Sequence, residues 1–456
     1  MIKLILYFLD FVLCYLKQKR KDYMKIGVVS LGCDKNRVDT EKMLARLLEG
    51  GHEFCSDESQ ADVIIINTCA FTLDAKNESI DEILRAVEEK KERGAKVIVT
   101  GCLPQRYGKE LSDSLPEVDG FFGTADYDAL KVEIDNIAGG ERRSVICGED
   151  KYTVKREITT PYHYAYLKIA DGCDNHCTYC AIPKIRGRYR SYKEDDLLNE
   201  AQELYDQGVK ELILIAQDVT RYGIDIYGKP QLLKLLDLLT KIDFKWIRLL
   251  YLEPEVVSDE LINYIKQNPK VANYMDIPFQ HVDSSVLKRM GRHTDEKLTK
   301  ELAEKVLSSG IALRSSFITG FPGEGESEFE KLYDFINNYK IDYAGFFAYS
   351  REEGTPADKL DGHLNERVKE LRRKKLYKIQ TAVMKEKAAA KMGQTLTVLA
   401  EGIDYDRQMF YGRSQFQAPG IDTLIYFTSE GLVNAGDFYE VEILSSDGID
   451  LIGRAK

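Results

Sequence analysis

The 456-residue sequence predicts an α/β protein with three successive folded parts. The first would be a doubly wound parallel sheet, because short β-branched runs alternate with helical patterns. The second would be an open, partial (β/α)6 barrel, because six strand patterns alternate with amphipathic helices. The third would be a small antiparallel β-barrel, because its short strands are separated by Gly and Asp turns. We expect the three parts to cover residues 24–145, 159–390 and 391–456.

The composition narrows the class of protein. Hydrophobic residues make up 44% and charged residues 30% of the chain, which is typical of a globular protein and excludes a disordered one. The net charge of −11 argues against sequence-independent nucleic-acid binding over the whole surface. Nine cysteines are few and odd in number, so we expect a reducing, cytoplasmic compartment in which cysteines are buried, metal-bound or catalytic.

Residues 1–23 are expected to be an extension outside the folded core. Their apolar run is shorter than a bilayer requires and contains Asp10, and the basic cluster follows the run instead of preceding it. A clean strand pattern begins at Met24. An interfacial anchor is the alternative, but we predict no membrane association.

Three strand patterns of the first part each end in a cysteine. The patterns cover Lys25–Cys33, Asp62–Cys69 and Lys96–Cys102, and helical patterns separate them at Val38–Leu48 and Ile80–Glu92. Ligands bind at the carboxyl ends of the strands in such sheets. The fold should therefore bring three distant thiols together.

Three thiols at equivalent places favour a metal site over three buried core residues. With no evident fourth ligand, Cys33, Cys69 and Cys102 suit an iron–sulfur cluster with one open iron. Zinc is the competitor, although its structural sites usually take closely paired cysteines. Three further cysteines lack this placement, and we interpret them as structural or incidental: Cys14, Cys55 and Cys147.

A second group of cysteines lies in the loop after the first strand of the central part. Cys173, Cys177 and Cys180 have spacings of 4 and 3, within reach of one ion or cluster. The alternatives are a buried helical stripe, which the polar residues between them disfavour, and a Cys₃His zinc site with His176. We expect a [4Fe–4S] cluster.

Six strand patterns make up the central part, and chemistry is expected at their carboxyl ends. They are Tyr164–Ala170, Lys210–Ala216, Trp246–Leu252, Tyr274–Phe279, Ala312–Thr319 and Tyr343–Tyr349. Polar groups or tight turns follow several of these strands. Examples are Gln217, Glu253 and the Gly-Phe-Pro-Gly-Glu turn at 320–324, whose backbone could approach a cofactor or simply form a loop.

The CxxxCxxC loop, with Tyr179 just before its last cysteine, resembles that of the radical S-adenosylmethionine enzymes. The resemblance implies that Cys173, Cys177 and Cys180 hold three irons, and that the fourth iron binds S-adenosylmethionine and cleaves it to a 5′-deoxyadenosyl radical. Expected contacts to S-adenosylmethionine, on strand-end position, are Tyr179, Gln217, Glu253, Gly320 and Gly323.

Together with the N-terminal triad, the loop resembles the methylthiotransferase family over Met24–Lys456. The resemblance implies a second [4Fe–4S] cluster on Cys33, Cys69 and Cys102, whose open iron carries the sulfur. One S-adenosylmethionine would methylate that sulfur and another would generate the radical, so that CH₃S replaces a C–H hydrogen. A low-potential electron donor and a sulfur source are implied as partners.

Two branches of this family compete, one modifying the β-carbon of an aspartate in ribosomal protein S12 and the other an adenosine in tRNA. Lys35-Asn36 after the first cysteine resembles the ribosomal-protein branch, as does the segment at 412–422. Gln417 and Gly420 depart from the Asp and Glu of that branch, which puts any acidic contact through them in doubt.

The charge of the C-terminal segments favours the protein substrate. Residues 393–456, which resemble a TRAM domain, contain ten acidic and four basic residues, a net charge of −6. Phosphates would repel such a barrel, whereas a basic ribosomal protein would be attracted. Residues 364–392 have a net charge of +7 and a helical pattern. We expect this helix to dock the barrel onto the central part, and contact with ribosomal RNA is the alternative.

A third hypothesis for the whole chain is a non-catalytic, metal-stabilised RNA- or protein-binding module.

Overall fold

A computed structural model of the chain describes residues 23–124, 126–146 and 152–456. The chain divides into two compact units, Met1–Glu157 and Ile158–Lys456. The expectations for residues 1–22, Cys14 and Cys147 lie outside the described residues. No helix of the described ranges is long and apolar enough to cross a membrane.

The first unit contains a six-stranded parallel sheet with the order β2-β1-β3-β4-β5-β6. Its strands are β1 (Lys25–Ser30), β2 (Glu53–Phe54), β3 (Val63–Thr68), β4 (Lys96–Gly101), β5 (Gly120–Phe122) and β6 (Arg143–Val145). The helices between them are α1 (Asp34–Glu49), α2 (Leu73–Arg93), α3 (Cys102–Ser114) and α4 (Tyr127–Ala138). The strand order reverses direction beside β1, as expected for a doubly wound sheet.

Burial explains why these segments form the centre of the sheet. Every residue of β3 is buried, which a β-branched strand covered on both faces requires. Thr72 caps the start of α2, because its hydroxyl accepts a hydrogen bond from the backbone of Ala75, and Gly94 caps its end in the left-handed conformation.

The second unit begins with six parallel strands in chain order, in two three-stranded sheets. They are β7 (Tyr164–Lys168), β10 (Glu211–Ile215), β11 (Trp246–Leu249), β12 (Tyr274–Asp276), β13 (Ala312–Thr319) and β14 (Tyr343–Ala348). The backbone of Leu252 donates to Asp276 at 2.8 Å, which links the two sheets. A short hairpin of β8 (Ala170–Asp171) and β9 (Arg190–Ser191) flanks the cysteine loop. This arrangement confirms the expected partial barrel.

Helices follow these strands and cover the outside of the partial barrel. They are α5 (Ile182–Ile185), α6 (Glu194–Asp206), α7 (Ile224–Tyr227), α8 (Leu232–Leu239), α9 (Asp259–Gln267), α10 (Ser284–Arg289), α11 (Glu296–Ser308), α12 (Glu326–Tyr339) and α13 (Glu366–Ala389). The basic segment forms α13, which begins after Asn365, whose side chain caps the backbone of Val368.

The C-terminal strands close into a five-stranded barrel with the order β15-β16-β17-β19-β18. They are β15 (Thr395–Asp404), β16 (Met409–Arg413), β17 (Ile425–Thr428), β18 (Phe438–Asp447) and β19 (Asp450–Ala455). The sequence predicts four of these strands, with patterns at Thr395–Ala400, Thr423–Phe427, Phe438–Leu444 and Leu451–Gly453, and it missed β16. The barrel is antiparallel except for β17 and β19, which pair in parallel.

A network of buried charges joins the barrel to the partial barrel within the second unit. Arg413 donates to Glu211 and to Glu401 at 2.8 Å each, and Arg248 donates to Glu211 at 2.6 Å. Asp422 accepts from Arg314 at 2.8 Å and from Tyr274 at 2.7 Å. These partners lie at or near the starts of the strands. The barrel therefore docks at the edge opposite the strand ends where chemistry is expected.

Candidate functional site

The three N-terminal cysteines lie at the carboxyl ends of three adjacent strands. Cys33 follows β1 as the N-cap of α1, Cys69 follows β3, and Cys102 is the first residue of α3 after β4. Cys33 is exposed, whereas Cys69 and Cys102 are buried. Cys33 and Cys69 flank the place where the strand order reverses, the usual ligand crevice of a doubly wound sheet. The N-termini of α1 and α3 also favour negative charge here.

Two glycines make the close approach of these strand ends feasible. Gly32 has a φ of +89°, and a Cβ there would lie 2.8 Å from the Cβ of Cys69 and 3.1 Å from its Sγ. Gly101 has a φ of +96°, and its Cβ would lie 2.2 Å from Oδ1 of Asn67. Larger residues would push the cysteine-bearing loops apart.

Asn36 ties the three cysteine-bearing segments to one another. Its fully buried amide donates to the backbone oxygens of Leu31 at 3.1 Å and Thr68 at 2.9 Å. The Sγ of Cys102 donates to Oδ1 of Asn36 at 3.4 Å. Asn67 in turn donates to the backbone oxygen of Asn36 at 2.9 Å. The sequence marked Asn36 only as a branch feature, although a polar residue on the first turn of α1 was a usable signal.

The second cysteine group lies in the loop between β8 and α5, with all three thiols half-buried. Backbone N–H groups of Asn175 and Ile182 donate to the sulfurs of Cys173 at 3.5 Å and Cys180 at 3.4 Å. Burial raises the pKa of Cys173 and of Cys180 to about 12. The positive charge of bound iron would offset this burial and favour the thiolates.

The middle of the loop is held from outside by backbone contacts. The N–H of Thr178 donates to the oxygen of Met290 at 2.8 Å, and its hydroxyl donates to Arg289 at 2.8 Å. The N–H of Ala357 donates to the oxygen of Thr178 at 2.8 Å. These hydrogen bonds attach the middle of the loop to the end of α10 and to the segment around Ala357.

The zinc alternative for this loop gains no support. Within the described ranges, no three His, Cys, Asp or Glu side chains form a group that could hold a single metal ion. His176, the fourth ligand of the Cys₃His hypothesis, is exposed and has a φ of +53°. A single ion needs its ligands closer together than a four-iron cluster does, since the cluster places each thiolate on a different iron.

Buried polar groups surround the loop at the neighbouring strand ends. Arg292 donates to Sγ of Cys177 at 3.6 Å and to Oε2 of Glu253 at 3.2 Å. Asn175 donates to Asp218 at 3.1 Å and to Glu253 at 3.4 Å. Burial raises the pKa of Glu253 to about 9, against the opposing effect of Arg292. The arrangement places acceptors for a cation and one buried guanidinium beside the three thiols.

Three segments of the chain match known families. Residues 25–123 match the uncharacterized protein family UPF0004, residues 167–336 match the Radical SAM superfamily, and residues 392–455 match the TRAM domain.

Curated relatives match nearly the whole chain. The ribosomal protein uS12 methylthiotransferase RimO of Lachnoclostridium phytofermentans is 46% identical over 440 residues, which cover 95% of this chain and 100% of that protein. The protein of the same name from Caldanaerobacter subterraneus subsp. tengcongensis is 47% identical over 434 residues, which cover 94% and 99%. The chain belongs to the RimO family of methylthiotransferases.

A solved structure shares the fold of the RimO-family chain at low identity. The radical S-adenosylmethionine methyltransferase TsrM from Kitasatospora setae, with cobalamin and a [4Fe–4S] cluster bound, matches with a TM-score of 0.57 and 14% identity. The match covers 73% of this chain and 76% of TsrM. At this identity the likeness shows the fold alone.

RimO-family membership implies S-adenosylmethionine and [4Fe–4S] clusters as cofactors, and the residues present fit them. Each triad offers three thiols and leaves one iron of a four-iron cluster open. Beside the loop, Oε1 of Gln217 and Nε of Arg292 are buried and have no partner among the described residues. Buried polar atoms are normally satisfied, so both atoms suit a polar ligand at this place.

Three of the five residues that the sequence assigned to S-adenosylmethionine lie around the cysteine loop. Tyr179 packs edge-on against Phe321, with ring centroids 6.2 Å apart. Gln217 donates to Asp171 at 3.1 Å, and Glu253 lies beside the cysteine loop as described above. These three positions surround the loop, and their assignment stays a prediction.

The two glycines of the 320–324 turn serve packing in this structure. A Cβ on Gly320 would lie 2.3 Å from Cγ of Lys369, and one on Gly323 would lie 2.6 Å from Nε of Arg289. Both have positive φ values. The face of each glycine that lacks a side chain is therefore covered by α13 or α10, and their role toward a cofactor stays a prediction.

Gln417 and Gly420 replace an Asp and a Glu of the ribosomal-protein branch, and each replacement has its own local explanation. The side-chain oxygen of Gln417 accepts from the backbone of Ser414 at 2.9 Å and from its hydroxyl at 2.6 Å. Gln417 thus performs the acceptor role that a carboxylate could perform. Gly420 has a φ of +73° and no heavy atom near its Cβ position, so the turn favours glycine there.

Proposed function

We propose that this chain transfers a CH₃S group to the β-carbon of an aspartate in ribosomal protein uS12, the small-subunit protein S12. The observation that supports this most strongly is the presence of two separate cysteine triads in a chain of the RimO family, one at the carboxyl ends of three parallel strands and one in the single loop between β8 and α5. Relatives that are 46–47% identical over nearly their full length bear the name of that activity.

The two triads would divide the work between them. Cys173, Cys177 and Cys180 would hold the cluster that binds S-adenosylmethionine, and Cys33, Cys69 and Cys102 would hold the second cluster. When bound, these groups supply the electron that generates the radical and the sulfur that is transferred. We propose that residues 24–145 form the domain of the second cluster and residues 159–390 form the domain that cleaves S-adenosylmethionine. The barrel would cover residues 391–456, and residues 1–23 would be an extension outside these domains.

The chain's own residues have supporting roles in this scheme. Asn36 and Gly32 keep the N-terminal thiols in one place, and the contacts of Thr178 keep the loop in position. Gln217, Glu253 and Arg292 offer polar contacts to S-adenosylmethionine beside the loop. Tyr179 packs against Phe321 and would help to exclude water from the cysteine loop.

The reaction needs partners that the chain does not contain. We propose a low-potential electron donor, a separate sulfur source and a cytoplasmic location, where ribosomal proteins are assembled into subunits. The substrate would be uS12, free or on the small subunit. The acidic barrel, with its net charge of −6, would favour this basic protein over RNA as its own partner.

Mass spectrometry of cells lacking the enzyme tests the substrate. Ribosomal proteins and tRNA from the deletion strain and from the complemented strain are compared. We expect uS12 to lose a mass equal to one CH₂S unit while tRNA stays unchanged. Loss of that mass from tRNA, with uS12 unchanged, would assign the chain to the tRNA-modifying branch.

Metal analysis tests the non-catalytic alternative. Anaerobically reconstituted protein should bind about eight irons, four for each cluster. Zinc in place of iron, or no cleavage of S-adenosylmethionine by the iron-loaded protein, would favour a metal-stabilised binding module.

A further inference from the structure

Most cations of the basic segment are held by groups of the same unit. Six of the ten Lys and Arg side chains between residues 364 and 392 form an ion pair or lie over an aromatic ring: Lys369, Arg372, Arg373, Lys375, Lys387 and Lys391. Arg372, for example, donates to Glu324 at 2.7 Å. Lys369, Arg372, Lys375 and Lys387 contact other elements of the unit, whereas Arg373 pairs with Glu370 on α13 itself.

The other four cations form a separate group. Arg367, Lys374, Lys378 and Lys385 are exposed, and none of them has an acidic partner among the described residues. Their positions differ by 7, 4 and 7 residues. At 3.6 residues per turn, all four lie within about 20° of one line along α13. We call these four side chains the cationic ridge.

The ridge is long and has little competing charge. Eighteen residues of helix separate its ends, a distance of about 27 Å. The three acids of the helix are Glu366, Glu370 and Glu386, and they pair with Lys369 at 2.6 Å, Arg373 at 2.8 Å and Lys340 at 2.5 Å. The ridge therefore presents four uncompensated positive charges on a chain whose net charge is −11.

Its chemistry suits a polyanion better than a protein. A protein interface has an apolar centre, whereas Leu371 is the one large aliphatic side chain exposed along this line of the described helix, at 51%. A phosphate backbone instead requires a row of cations and no apolar centre.

We propose that the cationic ridge binds the phosphate backbone of small-subunit ribosomal RNA while uS12 is modified on the subunit. The proposal rests on the proposed function, because it requires a substrate that lies on RNA. In this arrangement the acidic barrel contacts the basic protein uS12, and the cationic ridge contacts the ribosomal RNA beside it.

The ridge is also rigidly connected to the strand ends. On the opposite face of α13, Lys369 packs on Gly320, and Arg372 holds Glu324 at the other end of the same turn. That turn follows β13 at the edge where the cysteine loop lies. RNA contact at the ridge would therefore orient the catalytic edge relative to the subunit.

A variant that removes the ridge tests this proposal. Arg367, Lys374, Lys378 and Lys385 are replaced together by Gln, which keeps helix propensity. The holoenzyme is assayed on subunits that contain unmodified uS12 and on isolated uS12. On subunits, kcat/KM should fall at least tenfold, and the slope of its logarithm against log salt should become shallower by about 3. On isolated uS12, kcat/KM should change less than twofold.

A matched control removes four exposed lysines elsewhere in the same unit. Lys229, Lys241, Lys266 and Lys297 are replaced by Gln, which gives the same change of net charge. An equal fall in this control would overturn the proposal, because the effect would then be general. An equal fall on isolated uS12 would also overturn it and would assign the ridge to a protein contact.

A binding measurement separates this proposal from the proposed function. The holoenzyme is titrated with purified small-subunit RNA by filter binding. Tighter binding by the natural chain than by the ridge variant supports the ridge whichever substrate is modified, and equal binding contradicts it. If the natural chain modifies uS12 in neither form, the proposed function fails independently of this result.

Discussion

Cys102 donates its thiol hydrogen to Asn36, with 3.4 Å between Sγ and Oδ1. The same amide reaches the backbone oxygens of Leu31 and Thr68, which lie just before the other two cysteines of the triad. One buried side chain therefore fixes the relative positions of three strand ends that are distant in sequence.

Replacement of Asn36 by Ala should empty the N-terminal site and spare the loop. One buried and one half-buried carbonyl oxygen lose their donor, which should lower the free energy of unfolding by about 2–4 kcal/mol. Iron should fall from about eight to about four per chain, while S-adenosylmethionine cleavage persists. Iron analysis and a urea titration measure both effects. Asn337→Ala, at an exposed position, should change neither, and full iron in Asn36→Ala would contradict the positioning role.

Replacement of Gly32 by Ala should disrupt the same site through a clash. The new Cβ would lie 2.8 Å from Cβ of Cys69, in a backbone conformation with φ of +89°. Gly51 is a matched control because its φ is +92° and nothing lies near its Cβ position. Both variants should lose about 1 kcal/mol to backbone strain, but only Gly32→Ala should also lose N-terminal iron. Equal iron contents would show that the close approach is unimportant.

Breaking the pair of Arg413 and Glu211 should strongly destabilise the second unit. Both side chains are fully buried and lie 2.8 Å apart between the two barrels. Arg413→Met leaves Glu211 and Glu401 with less compensation, so we expect a loss of about 3–5 kcal/mol in urea unfolding. The exposed pair of Lys91 and Glu88 is the control, and Lys91→Met should leave the urea midpoint almost unchanged, because water already solvates both charges. Similar losses in both variants would contradict this account of the joint.

Glu401 should make the buried charge network between the C-terminal barrel and the partial barrel sensitive to acid. Burial acts to raise the pKa of Glu401, but Arg413 and His163 outweigh burial and lower it from 4.5 to about 2. A lowered pKa stabilises the folded chain above the ordinary pKa, and the contribution disappears as pH falls toward 2. The free energy of unfolding of the natural chain should exceed that of Glu401→Gln by about 3 kcal/mol at pH 5. At pH 3 the difference should be about half as large.

Urea unfolding of the iron-free protein at the two pH values measures this difference, since acid would release the clusters. Glu442, which is half-buried in the same barrel and has no ion pair among the described residues, provides a control by its change to Gln. A difference between the natural chain and Glu401→Gln that is constant between pH 5 and pH 3 would contradict the lowered pKa of Glu401.

Local sequence patterns predicted the features that recur within a few residues. The β-branched runs before Cys33, Cys69 and Cys102 became buried parallel strands, and their cysteines took the expected strand ends. The 4 and 3 spacing of the loop cysteines was likewise sufficient to single out that loop. In each case the pattern is short, and the fold class alone brings the pieces together.

Contacts between distant residues could not be predicted in this way. Arg292 reaches Cys177 across 115 residues of chain, and Arg413 reaches Glu211 across 202. Neither arginine has a periodic or motif context that distinguishes it from a surface arginine. The strand β16 was missed because its letters MFYGR carry no clear alternation and follow a polar turn.

The composition of the basic segment also could not predict which cations of α13 have partners. The net charge of +7 counted ten cations as one group. Only the contacts in the folded structure separate the six cations that have an acidic or aromatic partner from the four of the cationic ridge.

The most direct test of the central claim is the intact mass of uS12 after turnover with purified enzyme, measured together with 5′-deoxyadenosine. The natural chain should add one CH₂S unit and form 5′-deoxyadenosine. Ala at Cys33, Cys69 and Cys102 should leave 5′-deoxyadenosine formation but abolish the mass gain, and Ala at Cys173, Cys177 and Cys180 should abolish both. A mass gain that survives either triple replacement would contradict the assignment of the two triads.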